Sequence, residues 1–208
     1  YSCLPVAGSF YISPKIINGK VYTIQSKKLP FAAIHGDYDF LLKGQTRFGP
    51  TALLLPLLER YNLASLPDFL RVLHLDRNVI KVFWDLLKDT EIRQYIIKNF
   101  FYEIPLIRKP LFLKAARKIV PSLQLRDLKY ARHFGGVRPQ LIDKLNRKLL
   151  LGEAKINPGN GIIFNMTPSP GASSCLDNAE KDSRIIAKYL NTEINEDALQ
   201  TELHQNLT

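Results

Sequence analysis

Residues 135–140 (GGVRPQ) and residues 165–174 (NMTPSPGASS) are the two stretches that decide how the chain is organised. The first holds Arg138 between a valine and a proline, directly after two glycines that allow close approach of another backbone segment. A guanidinium presented in this way can hold a carboxylate through two parallel hydrogen bonds. Arg138 is therefore the first candidate for binding a small acid.

The second stretch is a Pro/Gly/Ser turn that leads into a predicted helix over residues 172–190. The first backbone N–H groups of a helix have no partner within the helix, and they lie at the positive end of its dipole. Such a helix start can bind an anion without any charged side chain. The sequence thus predicts one feature that binds a carboxylate and another that stabilises a delocalised negative charge.

Residues 1–50 have the pattern of an antiparallel sheet, with short apolar runs separated by turn residues. The turns are predicted at Asn18-Gly19 and at Lys43-Gly44. The predicted strands cover residues 6–12, 20–25, 30–35, 40–42 and 46–48.

The apolar residues recur at helical spacing from residue 51 to residue 122. The predicted helices cover residues 68–75, 77–87, 91–102 and 111–120. Ser65, Asp76 and Asp89 are the predicted N-caps. The aromatic residues of these helices lie at helical spacing, which indicates a hydrophobic core rather than a cofactor box; they are Phe83, Trp84, Phe100, Phe101 and Tyr102.

After Pro121 the apolar residues again tend to alternate with polar ones, which is typical of strands. The predicted strands there cover residues 125–131, 137–142, 149–154 and 162–166. The helix over residues 172–190 follows, with an apolar set of Leu176, Ala179, Ile186, Ala187 and Leu190. Residues 191–208 are polar, which is typical of a tail helix or of partial disorder. The predicted fold class is α+β, an antiparallel or mixed sheet with a helical insertion and a C-terminal helix.

Composition narrows the class of protein without deciding its function. The apolar share of 46% is ordinary for a soluble globular protein, and no run of 18 apolar residues predicts a transmembrane helix. The net charge of +10 leaves three interpretations open: an acidic remainder of a longer chain, an anionic membrane surface, or nucleic acid. No RNP-like motif supports nucleic acid, so that partner is not expected.

The cysteines, histidines and the methionine lead to expectations about disulfides, metal sites and the start of the chain. Cys3 and Cys175 are too few for a disulfide framework, which indicates free thiols in a reducing compartment. The four histidines lack metal-ligand spacing, so no metal site is predicted. The only methionine is Met166, so residue 1 is no translation start, and we expect the chain to be a piece of a longer polypeptide.

Four blocks of the sequence, taken together and in order, resemble a known family. Residues 4–10 (LPVAGSF) are similar to the "FPVSGQF" segment of bacterial malate:quinone oxidoreductases. The segment from Pro30 through His35 and Asp37 to Ala52 resembles the "H-x-D … FGP" hairpin of those enzymes and the "PFLGVH … GPNA" stretch of L-2-hydroxyglutarate dehydrogenases. The blocks GVRPQ and TPSPGASS match the closing segments of both families, and the resemblance covers about residues 1–190.

The resemblance implies a fold and a division into domains. Both families belong to the FAD-dependent D-amino-acid-oxidase-like superfamily, whose GxGxxG fingerprint for dinucleotide binding is absent from this chain. The chain would thus hold the substrate-binding sheet and a C-terminal helix that completes a Rossmann-like FAD domain. The implied parts are substrate-domain strands (1–50), a helical insertion (51–122), strands leading back to the FAD domain (123–156), the C-terminal part of the FAD domain (157–190) and a tail (191–208).

The resemblance also implies the chemistry: hydride transfer from C2 of an L-2-hydroxy acid to flavin, followed by electron delivery to a quinone. Arg138 matches the arginine that binds the substrate carboxylate, and His35 matches a histidine suited to take the hydroxyl proton. His133 is the alternative base, and Arg47 is the candidate for a second carboxylate. The backbone at the helix start would stabilise the reduced flavin; its residues are Pro170, Gly171, Ala172, Ser173 and Ser174.

Three functions remain open at the level of sequence. The first is an FAD-dependent malate:quinone oxidoreductase that oxidises (S)-malate to oxaloacetate and is peripheral on the inner face of a bacterial membrane. The second is an L-2-hydroxyglutarate dehydrogenase or oxidase of the same superfamily. The third is a non-catalytic basic module whose arginines bind phosphate or an acidic partner. We expect the 208-residue chain alone to be inactive, because most of the FAD would have no binding site on it.

Overall fold

The computed structural model describes residues 1–24, 33–150, 152, 154–166, 171 and 174–203, without the side chain of Leu203. Residues 30–32 of the strand predicted over residues 30–35 lie outside the described residues, as do Pro170, Ala172, Ser173 and His204. The chain divides into two compact units, Tyr1–Leu149 and Leu150–Thr208. Each is described here by itself.

The first sheet of unit 1 is built around its N-terminal strand. Its four strands lie in the order β6-β1-β8-β9, and every pair is antiparallel. They are β1 (Ser2–Ala7), β6 (Leu53–Leu54), β8 (Val137–Asp143) and β9 (Lys148–Leu149). The pairing of β1 with β8 sets Val6 opposite Arg138, so the predicted acid-binding residue stands on a central strand of this sheet.

The second sheet of unit 1 has five antiparallel strands in the order β3-β4-β5-β2-β7. They are β2 (Tyr11–Ser13), β3 (Val21–Tyr22), β4 (His35–Asp39), β5 (Gln45–Gly49) and β7 (Lys129–Tyr130). The hairpin of β4 and β5 sets His35 opposite Gly49 and Asp37 opposite Arg47. Two of the predicted site residues therefore lie on neighbouring strands.

Four α-helices lie between the strands of unit 1. They are α1 (Leu66–Leu73), α2 (Arg77–Lys88), α3 (Thr90–Phe101) and α4 (Arg108–Ala116). The predicted caps of α2 and α3 are confirmed, because the Asp76 carboxylate accepts from the N–H groups of Asn78 and Val79, and Asp89 accepts in the same way from Glu91 and Ile92.

Ser65 precedes α1 but does not cap it with its side chain. Its hydroxyl donates to the carbonyl of Asn62 and accepts from the N–H of Glu59, so it holds the turn before the helix instead. Pro67 lies in the first turn, as predicted, where the missing N–H costs no helical hydrogen bond.

The core of unit 1 consists of separate apolar clusters. The largest joins the second sheet to α4 and the segment after it, and stacks the Tyr11 ring on Phe112 with centroids 4.3 Å apart. A second cluster packs α1 and α2 against the first sheet around Val79 and Ile142. The two sheets are thus each covered by different helices of the insertion.

Three of the predicted strands are wrong, and the strand predicted over residues 6–12 is interrupted at residues 8–10, between β1 and β2. Of residues 149–154, only Leu149 lies in a strand among those that the structure describes. Residues 40–42 form a turn, because the Asp39 carboxylate accepts hydrogen bonds from the N–H groups of Leu41 and Leu42 and folds the chain back. Within residues 125–131 the chain first makes a 3-10 turn, Leu125–Asp127, where the Asp127 carboxylate accepts from the N–H of Gln124. Only β7 within that range is a strand.

The assignment of all five helical aromatics to the core is also wrong. Tyr102 is buried and Phe83 packs against a core cluster, but Trp84, Phe100 and Phe101 are 60%, 57% and 41% exposed. Helical spacing alone could not show that the insertion forms a single layer over the sheets, which leaves the outer faces of its helices uncovered.

Unit 2 contains a two-stranded antiparallel sheet and two helices. The strands are β10 (Lys155–Ile156) and β11 (Phe164–Asn165), and the helices are α5 (Cys175–Tyr189) and α6 (Glu196–Leu203). Lys155 ties the sheet to α5 through an ion pair with Asp182, at 2.7 Å. Of the apolar set predicted for α5, Ala187 is buried whereas Leu176 and Leu190 are exposed.

Among the described residues, neither Cys3 nor Cys175 takes part in a disulfide. None of the helices described combines the length and the apolar character that crossing a bilayer requires.

Candidate functional site

Arg138 lines a cavity of about 170 Å³ beside the first sheet. The wall is formed by three separate segments of unit 1, which are residues 6–10, 50–52 and 136–140. Among the described residues, Arg138 is the one charged side chain in this lining, and no hydrogen bond or ion pair of its guanidinium is found. A half-buried guanidinium without a counter-ion, in a largely apolar cavity, favours an anionic ligand.

Gln140 adds a second unsatisfied polar group to this cavity. It follows Arg138 by two residues on β8, which places both side chains on the same face of the strand. Gln140 is 4% exposed, and its Oε1 atom has no hydrogen-bond partner among the described residues. The cavity thus offers a guanidinium and an amide to a small polar molecule. Gln140 could have been found from the sequence, because residues two apart in a strand lie on the same face.

Two glycines allow the walls of the cavity to meet. Gly135 has a φ of +102°, and a Cβ there would overlap the carbonyl oxygen of Gly8. Gly49 has a φ of +149°, and a Cβ there would lie 2.6 Å from the Phe10 ring. Glycine is therefore required at both positions for the backbone to approach so closely.

His35 lies in a polar cluster on the hairpin of β4 and β5, and it is 8% exposed. Its Nε2 atom is 3.2 Å from the Asp37 carboxylate, and its Nδ1 atom is 3.1 Å from the carbonyl oxygen of Ala33. The ring also lies against Tyr22, with centroids 4.8 Å apart. Asp37 belongs to the H-x-D block of the sequence but was given no role there, although the spacing of two residues in a strand places it on the face of His35.

Burial lowers the pKa of His35 below its ordinary value. The hydrogen bond to Ala33 and the charge of Asp37 act in the opposite direction, and the cations Lys20 and Arg47 reinforce the lowering. The lowered pKa favours the neutral imidazole, which is the protonation state that a general base requires. Both ring nitrogens face acceptors, the Ala33 carbonyl and the Asp37 carboxylate, so His35 must give up one of these contacts before a ring nitrogen can take a proton from a ligand.

Arg47 is already engaged by two carboxylates of the same hairpin. Its guanidinium lies 3.5 Å from Asp37 and 3.0 Å from Asp39, and its Cζ atom lies 5.3 and 5.8 Å from the ring centroids of Phe10 and Phe134. Its Nε atom is buried and has no hydrogen-bond partner among the described residues. Arg47 is not part of the cavity lining around Arg138.

The His35 cluster and the Arg138 cavity are adjacent but distinct. His35 is not among the lining residues, although it pairs across the hairpin with Gly49, the neighbour of the lining residue Pro50. Phe10 contributes to both places, because it lines the cavity and also lies under the Arg47 guanidinium. His133, the alternative base, is exposed and outside the lining, with its ring 5.2 Å from that of Tyr61.

A network of buried polar side chains holds one wall of the cavity in place. The sequence did not predict this network. The Ser9 hydroxyl donates to the Glu103 carboxylate at 2.8 Å, and Arg60 pairs with the same carboxylate at 3.1 Å. Thr51, a lining residue, donates its hydroxyl to Glu103 and accepts from the N–H of Ser9. These residues are far apart in sequence, so no local pattern could bring them together.

The start of α5 is described in part. Ser174 is the N-cap, and its side chain makes no capping hydrogen bond; its Oγ atom accepts instead from the side chain of Asn178. The first N–H groups of the helix therefore have no side-chain cap from Ser174. Gly171 is half-buried, and the remaining predicted residues of this loop, Pro170, Ala172 and Ser173, lie outside the described part.

Comparison with known proteins gives closely similar relatives. A probable malate:quinone oxidoreductase of Campylobacter jejuni is 57% identical over 204 residues, which are 97% of this chain and 46% of the relative. The malate:quinone oxidoreductase of Helicobacter pylori strain 26695 and a probable one of Helicobacter acinonychis are each 57% identical over 190 residues, 90% of this chain and 42% of the relative. No family model matches the chain.

The chain belongs to the malate:quinone oxidoreductase family. This confirms the resemblance inferred from the four sequence blocks. The chain spans less than half of the length of the malate:quinone oxidoreductases that it matches. The roles of His35, Arg47, Arg138 and the loop before α5 stay predictions at this point.

Proposed function

We propose that this chain is the C-terminal portion of an FAD-dependent malate:quinone oxidoreductase, which oxidises (S)-malate to oxaloacetate and passes the electrons to a quinone. The proposal is supported by 57% identity to proteins of that name. The observation that carries it is the guanidinium of Arg138, which lines a small cavity and has no partner among the described residues. At about 30 Å³ per water, the 170 Å³ of that cavity equals five to six waters, which suits an acid of a few carbon atoms.

Arg138 is proposed to orient the substrate. Its guanidinium would hold one carboxylate through two parallel hydrogen bonds, and the amide of Gln140 would bind a second polar atom of the acid. The apolar remainder of the lining would exclude water and strengthen both contacts. Holding the acid in one orientation is the part of catalysis that these residues perform.

His35 is proposed to take the hydroxyl proton of the substrate. Its lowered pKa keeps the imidazole neutral, and the Asp37 carboxylate beside Nε2 would stabilise the ring once it carries the proton. Because His35 does not line the cavity, this role needs the substrate hydroxyl, or one intervening water, at the Gly49–Pro50 edge. Arg47 would reach a second carboxylate only by releasing Asp39 or Asp37.

The backbone at the start of α5 is proposed to complete the FAD site. Flavin, when bound, accepts the hydride from C2 of the hydroxy acid. The described residues fit such a group, because Gly171 and Ser174 lie directly before α5, and the positive end of a helix dipole favours a negatively charged acceptor. With this role, residues 157–190 would be the C-terminal part of a Rossmann-like domain, and residues 1–156 would carry the substrate.

We further propose that the enzyme is peripheral on the inner face of a bacterial membrane, where its quinone is dissolved. The net charge of +10 is compatible with an anionic surface.

The proposal is tested on the full-length protein that contains this chain. It should purify with bound flavin, and (S)-malate should bleach the flavin absorbance at lower concentration than 2-hydroxyglutarate. Replacing Arg138 by Gln should lower kcat/KM for malate by roughly 10²–10³-fold, the usual loss when one partner of a buried charge pair is removed. Arg138→Lys should recover only part of it, because an ammonium lacks the fork of the guanidinium.

The matched control is Arg126→Gln, which removes an exposed arginine outside the cavity lining and should leave kcat/KM unchanged. A colourless protein, or bleaching by 2-hydroxyglutarate in preference to malate, would contradict the assignment. An Arg138→Gln enzyme with normal affinity for malate would remove this arginine from the site.

A further inference from the structure

A groove of about 430 Å³ runs between α3 and α4 on the outer face of unit 1. Each helix contributes one row of residues at helical spacing, residues 94, 97, 98 and 101 from α3 and residues 111, 114 and 115 from α4, with Lys118 following. The walls combine apolar side chains with ammonium groups, namely Ile97, Phe101, Leu111, Lys98, Lys114 and Lys118. Neither the substrate cavity nor the His35 cluster shares a residue with this groove.

The charge of the groove is of one sign. Its lining contains three lysines and no acidic residue, and among the described residues no ion pair is found for Lys98, Lys114 or Lys118. The surrounding sequence, residues 104–126, holds six basic residues and no acidic one. Partial burial, together with the charges of Lys118 and Lys114, lowers the pKa of Lys98. An anion between these ammonium groups would relieve their mutual repulsion.

The apolar part of the groove is uncovered. Phe101 and Ile97 are 41% and 50% exposed, and just beyond the groove Phe100 and Leu106 are 57% and 91% exposed. Tyr102 forms the floor, is 2% exposed, and its hydroxyl has no hydrogen-bond partner among the described residues. An exposed apolar patch of this kind, next to an unsatisfied buried hydroxyl, marks a binding surface.

We infer that this groove is the surface through which the protein docks on a bilayer that contains anionic phospholipid. An acyl chain lies against Phe101, Ile97 and Leu111, and the lipid phosphate lies among the three lysine ammonium groups. This inference rests on the proposed location at a membrane and adds the part of the molecule that makes the contact.

Charge and shape together select a lipid over other anions. A soluble phosphate or a nucleic acid would pair with the lysines but would leave the apolar walls in contact with water, at a cost for every uncovered side chain. A neutral quinone would cover those walls but would leave the ammonium groups unpaired. An anionic amphiphile satisfies both halves of the groove at once, and a bilayer presents many such molecules in one plane.

The test measures binding of the full-length protein to sedimented vesicles. One set of vesicles is phosphatidylcholine alone, and the other is an equal mixture of phosphatidylcholine and phosphatidylglycerol. The test variant carries Lys98→Gln, Lys114→Gln and Lys118→Gln. Since each lysine at an anionic surface contributes a factor of about five, this variant should bind the mixed vesicles about a hundredfold more weakly. Its binding to phosphatidylcholine alone should not change.

The control variant carries Lys15→Gln, Lys43→Gln and Lys148→Gln, which remove the same charge from exposed positions outside the groove. It should bind both kinds of vesicle like the wild type. A further variant, Phe101→Ser, should weaken binding to both kinds, because it removes apolar contact. Circular dichroism and malate-dependent reduction of a water-soluble dye check that every variant is folded.

The outcomes separate this inference from the proposed function. If the groove variant binds the mixed vesicles like the wild type, or if the control loses as much binding, the groove is not the docking surface, and the proposed reaction is unaffected. If the wild type binds no vesicle yet reduces the dye with malate, the membrane location and this inference are both wrong. If the dye is not reduced but the groove variant alone loses vesicle binding, the inference stands without the reaction.

Discussion

At the scale of single residues, His35 makes the folding stability of the chain depend on pH. Burial lowers its pKa, so between that pKa and about 6.5, the ordinary value, the unfolded chain binds more protons than the folded one. Stability therefore falls as the pH drops below about 6.5, and it is regained as the pH rises.

Replacing His35 by Gln should remove this contribution. Urea unfolding of the two proteins at a series of pH values should show a difference in free energy of unfolding that narrows as the pH falls below about 6.5. A difference that stays constant over that range would mean that the histidine has the same pKa in the folded and unfolded chains.

The sequence identified some residues of the candidate site and missed others for a physical reason. Arg138 and His35 stand in short motifs, so local pattern and resemblance could find them. Asp37 and Gln140 lie two residues from them on the same strands and follow once a strand is assumed. Ser9 and Glu103 are 94 residues apart, and their contact depends on how α3 meets the sheets, which no local pattern contains.

At the scale of elements, the caps explain why the helical insertion was predicted so closely. α2 and α3 begin within one residue of the predicted positions, because Asp76 and Asp89 fix both helix starts through hydrogen bonds that short sequences specify. α4 begins three residues before its predicted start. The predicted start at residue 111 lies after Pro110, whereas Pro110 occupies the first turn of α4, where a proline is tolerated.

Asp89 gives a direct test of this account. Its carboxylate accepts from the N–H groups of Glu91 and Ile92 at 2.8 and 3.2 Å. Asp89→Ala should lower the free energy of unfolding by about 0.5–2 kcal/mol, the usual effect of losing an N-cap. Asp89→Asn keeps an oxygen in the same place and should recover most of it. Equal losses in the two variants, measured by urea unfolding, would mean that the carboxylate acts through its charge instead.

At the scale of the whole molecule, apolar burial is concentrated in unit 1. The buried clusters around Tyr11, Val79 and Val6 all belong to residues before Leu149. Among the described residues after Leu149, the buried apolar side chains are Ala154 and Ala187, which are small. Because apolar burial is the main favourable term in folding, unit 2 has much less to hold it together by itself.

Amide hydrogen exchange should show this difference. We expect the amides of β1 and β8 to exchange at the rate of global unfolding, and those of α5 and α6 to exchange faster through local opening. The only tryptophan, Trp84, lies in unit 1, so its fluorescence should follow the slower-exchanging unit during denaturation. Equal protection in both units would show that they unfold as one.

The cavity beside Arg138 is assembled from the beginning, the middle and the end of unit 1. Neither β1 nor β8 forms its wall alone, and the segment around Pro50 must also be in place. A ribosome must therefore release the chain beyond residue 140 before any pocket exists. A growing polypeptide would therefore lack this cavity until synthesis of the unit is nearly finished.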